Sequence, residues 1–163
     1  MSAARRFPLL LLLVASIAVV GAAWASQLWG GLIPCELCLY ERWPYYAVIA
    51  ASAVALPAGE RRLTTTALAF AALAFLAGAG LAFYHVGVEH HWFAGPSACT
   101  GAGPAASIEE LRQRLLAQQP VQCDQPQWSL FGVTLAGWNV LASLVLACGA
   151  LWALRRPSLG RAG

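Results

Sequence analysis

Four long apolar runs constrain this chain more than any other feature. They cover about 7–29, 37–56, 63–88 and 130–154. Each is close to the roughly 20 residues that a helix needs to cross the hydrocarbon core of a bilayer. In lipid an unpaired backbone amide is too costly to leave, so a spanning segment closes its hydrogen bonds within a helix or around a barrel. These runs lack the alternation of a barrel strand, so helices are expected. Composition agrees. The chain is 60% hydrophobic and 10% charged, whereas a soluble domain carries about 25% charged residues. A water-soluble globule is excluded. The expected fold is an all-α membrane protein, a four-transmembrane-helix bundle forming one domain over 1–163. The net charge of +3 matters through its placement, and no nucleic-acid partner is expected.

The ten basic residues are all arginine. Arg5 and Arg6 precede the first run, Arg61 and Arg62 join the second to the third, and Arg155, Arg156 and Arg161 follow the fourth. Cytoplasmic loops carry such an excess, so both termini are expected in the cytoplasm. The far side then holds a short loop with Cys35 and Cys38, and a long one over about 89–129 with Cys99 and Cys123. Trp29, Trp43, Trp92 and Trp128 fall near the outer ends of the spans, where an aromatic belt sits. Arg5-Arg6, the first run and Ala23-Trp24-Ala25 also fit a cleavable signal peptide. Its removal would leave the other spans facing the same way.

Within the long loop, Ser107-Ile108-Glu109-Glu110 matches a capping box. Leu111, Leu115 and Leu116 follow at helical spacing. A short amphipathic helix over 108–118 is expected, either lying on the outer leaflet or forming a surface helix without lipid contact.

The chemistry is expected at the cysteines. Cys35-x-x-Cys38 has the spacing of a redox-active dithiol, on the side of the membrane where disulfides persist. Cys38 is expected near the start of the second helix, where unpaired amides and the helix dipole favour a thiolate. Arg42 stands one turn further on and adds a fixed positive charge. Half of a zinc site, completed by His90 and His91, and a purely structural disulfide remain alternatives. Cys99 and Cys123 lie 24 residues apart, and a bridge between them is worth roughly 3 kcal/mol of loop entropy. It serves either as a loop staple or as an exchange partner of the first pair; four cysteines allow three pairings. Cys148, within the fourth run, reads as a small apolar packing residue. His85 and Glu89, four apart at the outer end of the third run, read as a ligand or proton-relay pair, or as an exposed helix-end pair. Asn139 reads as a helix–helix hydrogen-bonding residue, and Gly78 and Gly80 as sites of close helix packing.

Three segments together carry a family resemblance: Pro34-Cys35-Glu36-Leu37-Cys38-Leu39-Tyr40-Glu41-Arg42, Tyr84-His85 to Glu89, and Cys123 followed by Trp128-Ser129-Leu130-Phe131-Gly132. In these the chain resembles the bacterial disulfide bond formation protein B family. The resemblance implies an inner-membrane thiol oxidase that re-oxidises a periplasmic DsbA-like partner and passes electrons to a membrane quinone, ubiquinone or menaquinone. It also implies roles. Cys99, disulfide-bonded to Cys123, would take the partner's thiolate. Cys123 would exchange with Cys35–Cys38, freeing Cys38. Arg42, His85 and Glu89 would lie at the quinone. No resident metal is expected. The alternative class is a non-enzymatic membrane protein with structural disulfides or a Cys/His metal site.

Overall fold

The computed structural model describes residues 3–96, 107–109, 112–113 and 121–155. Its elements are α1 (Ala3–Leu28), α2 (Glu36–Tyr40), α3 (Trp43–Ala58), α4 (Arg61–Glu89), β1 (Ser129–Leu130), β2 (Val133–Thr134) and α5 (Leu135–Arg155). Three of the helices, α1, α4 and α5, are long and apolar enough to cross a membrane. Of the amphipathic helix expected over 108–118, residues 108–109 and 112–113 are helical and exposed; the rest lies outside the described residues, as does Cys99.

The expected second span over 37–56 is instead broken in two. Pro44 has no N–H to give, and its ring clashes with the carbonyl four residues back. That carbonyl belongs to Tyr40, the last residue of α2. The chain turns at Glu41 and Arg42 and restarts with Pro44 in the first turn of α3, where proline is tolerated. The 16 residues of α3 rise about 24 Å, less than the ~30 Å core. The helix ends at Gly59 with φ 70°, a left-handed cap that glycine takes without strain.

The fourth run also starts later than 130. Phe131 and Gly132 both have positive φ, 54° and 77°, which is the two-residue turn that suits strand twist. A small antiparallel hairpin therefore pairs Ser129 with Thr134 and Leu130 with Val133. Thr134 then caps α5, its Oγ1 accepting from the Gly137 N–H at 3.2 Å.

Helix α4 is the centre of the bundle. It packs most extensively against α5, then α3, while α1 lies mainly on α3. The core is Leu9 and Leu12 of α1, Tyr45, Val48 and Ala55 of α3, Leu68, Ala71, Ala72 and Phe75 of α4, and Ala147, Ala150 and Ala153 of α5. Small residues dominate the α4–α5 seam, as expected where van der Waals packing drives helix association in lipid. Large apolar side chains such as Leu11, Val14, Leu73, Phe83 and Val145 point outward instead, toward the positions lipid would occupy. Cys148 also faces outward and is a free thiol, so it is no packing residue. The Ala147 and Ala150 beside it are the ones facing the core.

Gly78 sits where three helices meet. A β-carbon there would stand 3.1 Å from Pro44 Cγ and 3.5 Å from Ser143 Oγ. Gly78→Val is therefore expected to overpack the junction and cost about 1–3 kcal/mol, seen as a lower unfolding midpoint in detergent. Gly80 has open space around it, and Gly80→Ala is expected to be neutral in the same assay.

Arg5, Arg6, Arg61, Arg62 and Arg155 gather at one end of the bundle. Arg5 donates to Thr65 Oγ1 at 2.7 Å and to the Leu154 carbonyl at 3.4 Å. Arg6 donates to the Leu56 carbonyl. These bonds satisfy last-turn carbonyls that helices otherwise leave orphaned, and they gather the start of α1 and of α4 with the ends of α3 and α5. The cysteine segments lie at the opposite end.

Candidate functional site

Pro34 restricts Ile33 before it to an extended conformation, and the chain enters α2 through Cys35. Cys35 is the N-cap, with φ −75° and ψ 172°, and its Sγ accepts from the Cys38 N–H at 3.2 Å. The helix-start effect expected for Cys38 therefore falls on Cys35. The boundary differs by only a residue or two, but one sulfur accepts the orphan amide while the other lies inside the first turn. The two sulfurs stand 2.6 Å apart. Both lie outside the long helices. The Cys35 thiol is held below its ordinary value, chiefly by hydrogen bonding from Cys38, against the opposing effect of burial. The Cys38 thiol is pushed up, first by the Cys35 sulfur and then by burial. In the dithiol, Cys35 is the sulfur that gives up its proton more readily.

Arg42 does not extend the α2 face as expected, because the helix has already broken. It is half-buried and reaches across to α1. Its guanidinium lies over the Trp24 ring, 6.0 Å from the centroid, a cation–π contact. With its amide oxygen turned inward, Gln27 accepts from Arg42 Nη1 at 2.8 Å and from Nη2. Arg42 Nε is buried without a partner among the described residues.

The group beside the sulfurs is His85. Its Nε2 stands 3.6 Å from Cys35 Sγ. Its Nδ1 stands 2.6 Å from Glu41 Oε1; with Glu41 ionised, Nδ1–H donates there and leaves the Nε2 lone pair toward sulfur. Glu89, the expected partner of His85, is engaged elsewhere: it accepts from the Thr134 hydroxyl at 2.6 Å and so buttresses the α5 cap. Glu41 is 7% exposed, which demands full pairing. Its second oxygen accepts from Asn139 Nδ2 at 2.7 Å. Asn139 Oδ1 accepts from the Tyr45 hydroxyl at 2.6 Å, and Ser143 Oγ lies 3.0 Å from that hydroxyl. A continuous polar chain thus runs from Cys35 through His85, Glu41, Asn139 and Tyr45 to Ser143, linking α2, α4, α3 and α5.

Cys123 is 2% exposed and packs in one cluster with Cys35, Leu37 and Val88, flanked by Cys38 and Tyr84. It is disulfide-bonded. A doubled amide clamp holds its segment against the Cys35 segment: Ile33 N–H donates to Gln127 Oε1 at 3.1 Å, and Gln127 Nε2 donates to the Ile33 carbonyl at 2.6 Å. Near the other end of the long loop, the Tyr84 hydroxyl donates to the Ala94 carbonyl at 2.7 Å, and the Tyr84 ring stacks on Phe93. His90 stacks on Trp92, and the cluster of possible metal ligands at the dithiol contains His85 rather than His90 or His91.

Cys35, Cys38, Arg42, His85, Glu89 and Cys123 all line one cavity of about 430 Å³. Its walls are largely apolar, from Val19, Val20 and Ala23 of α1, Leu32 and Ile33, and Leu135 and Ala136 of α5. The arrangement suits thiol–disulfide exchange next to an apolar ligand site with a few convergent polar groups. Asn139 makes the helix–helix hydrogen bond expected of it, accepting from Tyr45 of α3, whereas Glu41, Tyr45 and Gln127 were not among the site residues expected from sequence. An ionisable Glu41 at the head of an apolar run was the available signal.

The disulfide bond formation protein DsbB family matches the chain over residues 5–153. The chain belongs to that family. Among its DsbB-family relatives, disulfide bond formation protein B 2 of Pseudomonas putida is 35% identical over 144 residues, 81% of this chain and 80% of its own. The protein of the same name from Pseudomonas syringae is 31% identical over 165 residues, 91% and 87% of the two chains. Disulfide bond formation protein B of Actinobacillus pleuropneumoniae is 29% identical over 145 residues, 85% and 79%. As a DsbB-family chain it is a membrane protein of disulfide oxidoreductase chemistry, with the dithiol at the end of the bundle opposite Arg5, Arg6 and Arg155.

Gln127→Ala is expected to slow exchange between Cys123 and the Cys35–Cys38 pair by about tenfold, the equivalent of 1.4 kcal/mol of lost positioning. Rapid-quench trapping after selective reduction of the Cys123 disulfide, with Cys35–Cys38 still oxidised, checks this.

Proposed function

We propose that this protein re-oxidises a periplasmic thioredoxin-fold thiol oxidase of the DsbA kind and passes the electrons to a membrane quinone. The observation that carries the reading is the packing of Cys123 against Cys35 and Cys38 at a cavity walled by apolar side chains. In this reading α1, α3, α4 and α5 all cross the inner membrane. The arginine end faces the cytoplasm and the cysteine end the periplasm. The amphipathic stretch at 108–118 keeps the long loop near the outer leaflet.

The steps on this chain's own residues follow the sulfurs. A thiolate of the reduced partner attacks Cys99 of a Cys99–Cys123 disulfide, and the Cys123 thiolate leaves. The partner's second thiol displaces Cys99, so the partner departs oxidised and Cys99 and Cys123 are left as thiols. The Cys123 thiolate then attacks Cys35 of the Cys35–Cys38 disulfide, forming Cys35–Cys123 and releasing Cys38 toward the cavity. Once Cys35 is held in that bond, the largest influence keeping Cys38 protonated is gone. Cys38 then becomes the available thiolate. His85 beside it takes or returns the proton at Nε2, its ring held by Glu41. Attack by Cys99 on Cys35–Cys123 re-forms the outer disulfide and returns Cys35 as a thiol.

The residues fit a quinone head group. The cavity walls are apolar, the buried Arg42 Nε has no partner, and Glu89 and His85 line the same space. A quinone bound there supplies an acceptor for two electrons and two protons. Arg42 and His85 would hold its oxygens, and the α1 and α5 walls would exclude water.

The test is quinone reduction in proteoliposomes supplied with reduced thioredoxin-fold partners, comparing ubiquinone with menaquinone. Cys99→Ser should abolish capture of the partner in a mixed disulfide. Arg42→Ala should raise the quinone KM while the outer disulfide stays reducible. No quinone reduction with any partner would sink this reading.

A further inference from the structure

We propose that the reduced Cys35–Cys38 dithiol, together with His85, is a binding site for a thiophilic d10 cation such as Zn²⁺, and that the oxidised protein lacks this site. The inference goes beyond the proposed function and does not depend on the identity of the electron acceptor.

Cys35 Sγ, Cys38 Sγ and one His85 nitrogen all lie within 4.8 Å of one another. A tetrahedral zinc with sulfur at about 2.3 Å and nitrogen at about 2.0–2.1 Å places those two ligands about 3.6 Å apart. The Cys35 Sγ to His85 Nε2 distance is 3.6 Å, so that edge is already formed. The second edge is not: two zinc-bound sulfurs stand about 3.8 Å apart, against 2.6 Å here. Cys38, the less buried of the two cysteines, has to swing outward by about 1 Å to match. Its neighbour Cys35 is the fixed N-cap.

The surroundings have the form that a metal-binding histidine requires. Such a histidine almost always donates its other ring N–H to a carboxylate, which fixes the tautomer and aims the ring. Glu41 accepts at 2.6 Å, and Asn139 holds the far oxygen of Glu41 at 2.7 Å. The apolar cavity wall supplies the dry shell. Two thiolates and one imidazole leave a fourth position for water. Binding exchanges Zn²⁺ for the two thiol protons, which leave to solvent. No electron moves, so the sulfurs stay reduced and are withdrawn from exchange. A disulfide offers no thiolates, so the site exists in one redox state. The expected consequence is that zinc arrests the protein after reduction and that a chelator releases it.

The experiment uses full-length protein in detergent, with Cys99→Ser and Cys123→Ser so that Cys35 and Cys38 provide the dithiol. The protein is reduced with a phosphine and titrated anaerobically with Co²⁺ as the spectroscopic probe, then with Zn²⁺ as competitor. The expected result is one Co²⁺ per reduced chain with a thiolate charge-transfer band, displaced by Zn²⁺, and no binding after oxidation. This comparison needs no substitution within the site. Glu41→Gln should weaken binding about 10- to 100-fold, and His85→Ala should shift the cobalt bands. His90→Ala and His91→Ala should change nothing. Absence of stoichiometric binding to the reduced protein would overturn the proposal. So would equal binding to the oxidised protein, or bands that move with His90 or His91 and not with His85.

Discussion

Cys38→Ser is expected to bring quinone-linked turnover to the background rate while leaving Cys35 trapped in a disulfide with Cys123. The two sulfurs of the dithiol are 2.6 Å apart, and Cys35 is almost fully buried with Cys123 in the same cluster. Removing Cys38 leaves Cys35 with Cys123 as the sulfur packed beside it. A serine oxygen can occupy the space but cannot complete a disulfide or release a thiolate toward the cavity. The fold should survive, because the Cys38 backbone N–H that donates to the Cys35 cap is unchanged. Two measurements decide: quinone reduction with reduced partner, and mass spectrometry of non-reduced peptides for the Cys35–Cys123 link. Full turnover would remove the inner dithiol from the mechanism. Cys148→Ser, on the outward face of α5, is the matching substitution expected to leave both readouts unchanged.

The second large effect is expected at Glu41. Glu41→Ala strips His85 Nδ1 and Asn139 Nδ2 of their acceptor in one step. Each buried donor left without an acceptor costs about 1–3 kcal/mol. Both stability and turnover should fall. Glu41→Gln separates the two. Its amide oxygen can still accept from one neighbour, so much of the stability should return. The charge that orients the His85 ring does not return, so turnover should stay low. Thermal unfolding in detergent and the turnover assay, run on both variants, check the pair. Equal recovery of stability and turnover in Glu41→Gln would mean that the carboxylate serves packing alone.

How far the residues betrayed this arrangement depends on the range of each interaction. The long helices follow from apolar length, a property each segment carries by itself, and α1, α4 and α5 lie within a few residues of the expected runs except where the hairpin delays α5. The break before α3 was also local: Pro44 stands four residues after Tyr40. The partner of His85 was of another kind. Glu89 is one turn away, whereas Glu41 is 44 positions away, and spacing along one helix favours the near carboxylate. Only the packing of α4 against the α2–α3 corner brings Glu41 to the ring. The first free amide of the helix meets Cys35 and not Cys38 for a smaller reason. Moving the helix start to Glu36 exchanges which sulfur meets the free amide. Arg42 was read on the face of a helix that had already ended.

One contact bears on how the surface near the dithiol can vary. Gln127 grips the peptide group of Ile33, not its side chain. The latch is blind to which residue stands at 33, so long as that residue still offers an amide hydrogen. Chains sharing this fastening are free to drift there among aliphatic, polar or aromatic choices without loosening the outer cysteine arm. Proline is the one natural occupant that would open half of it, because it keeps the carbonyl but brings no hydrogen to give.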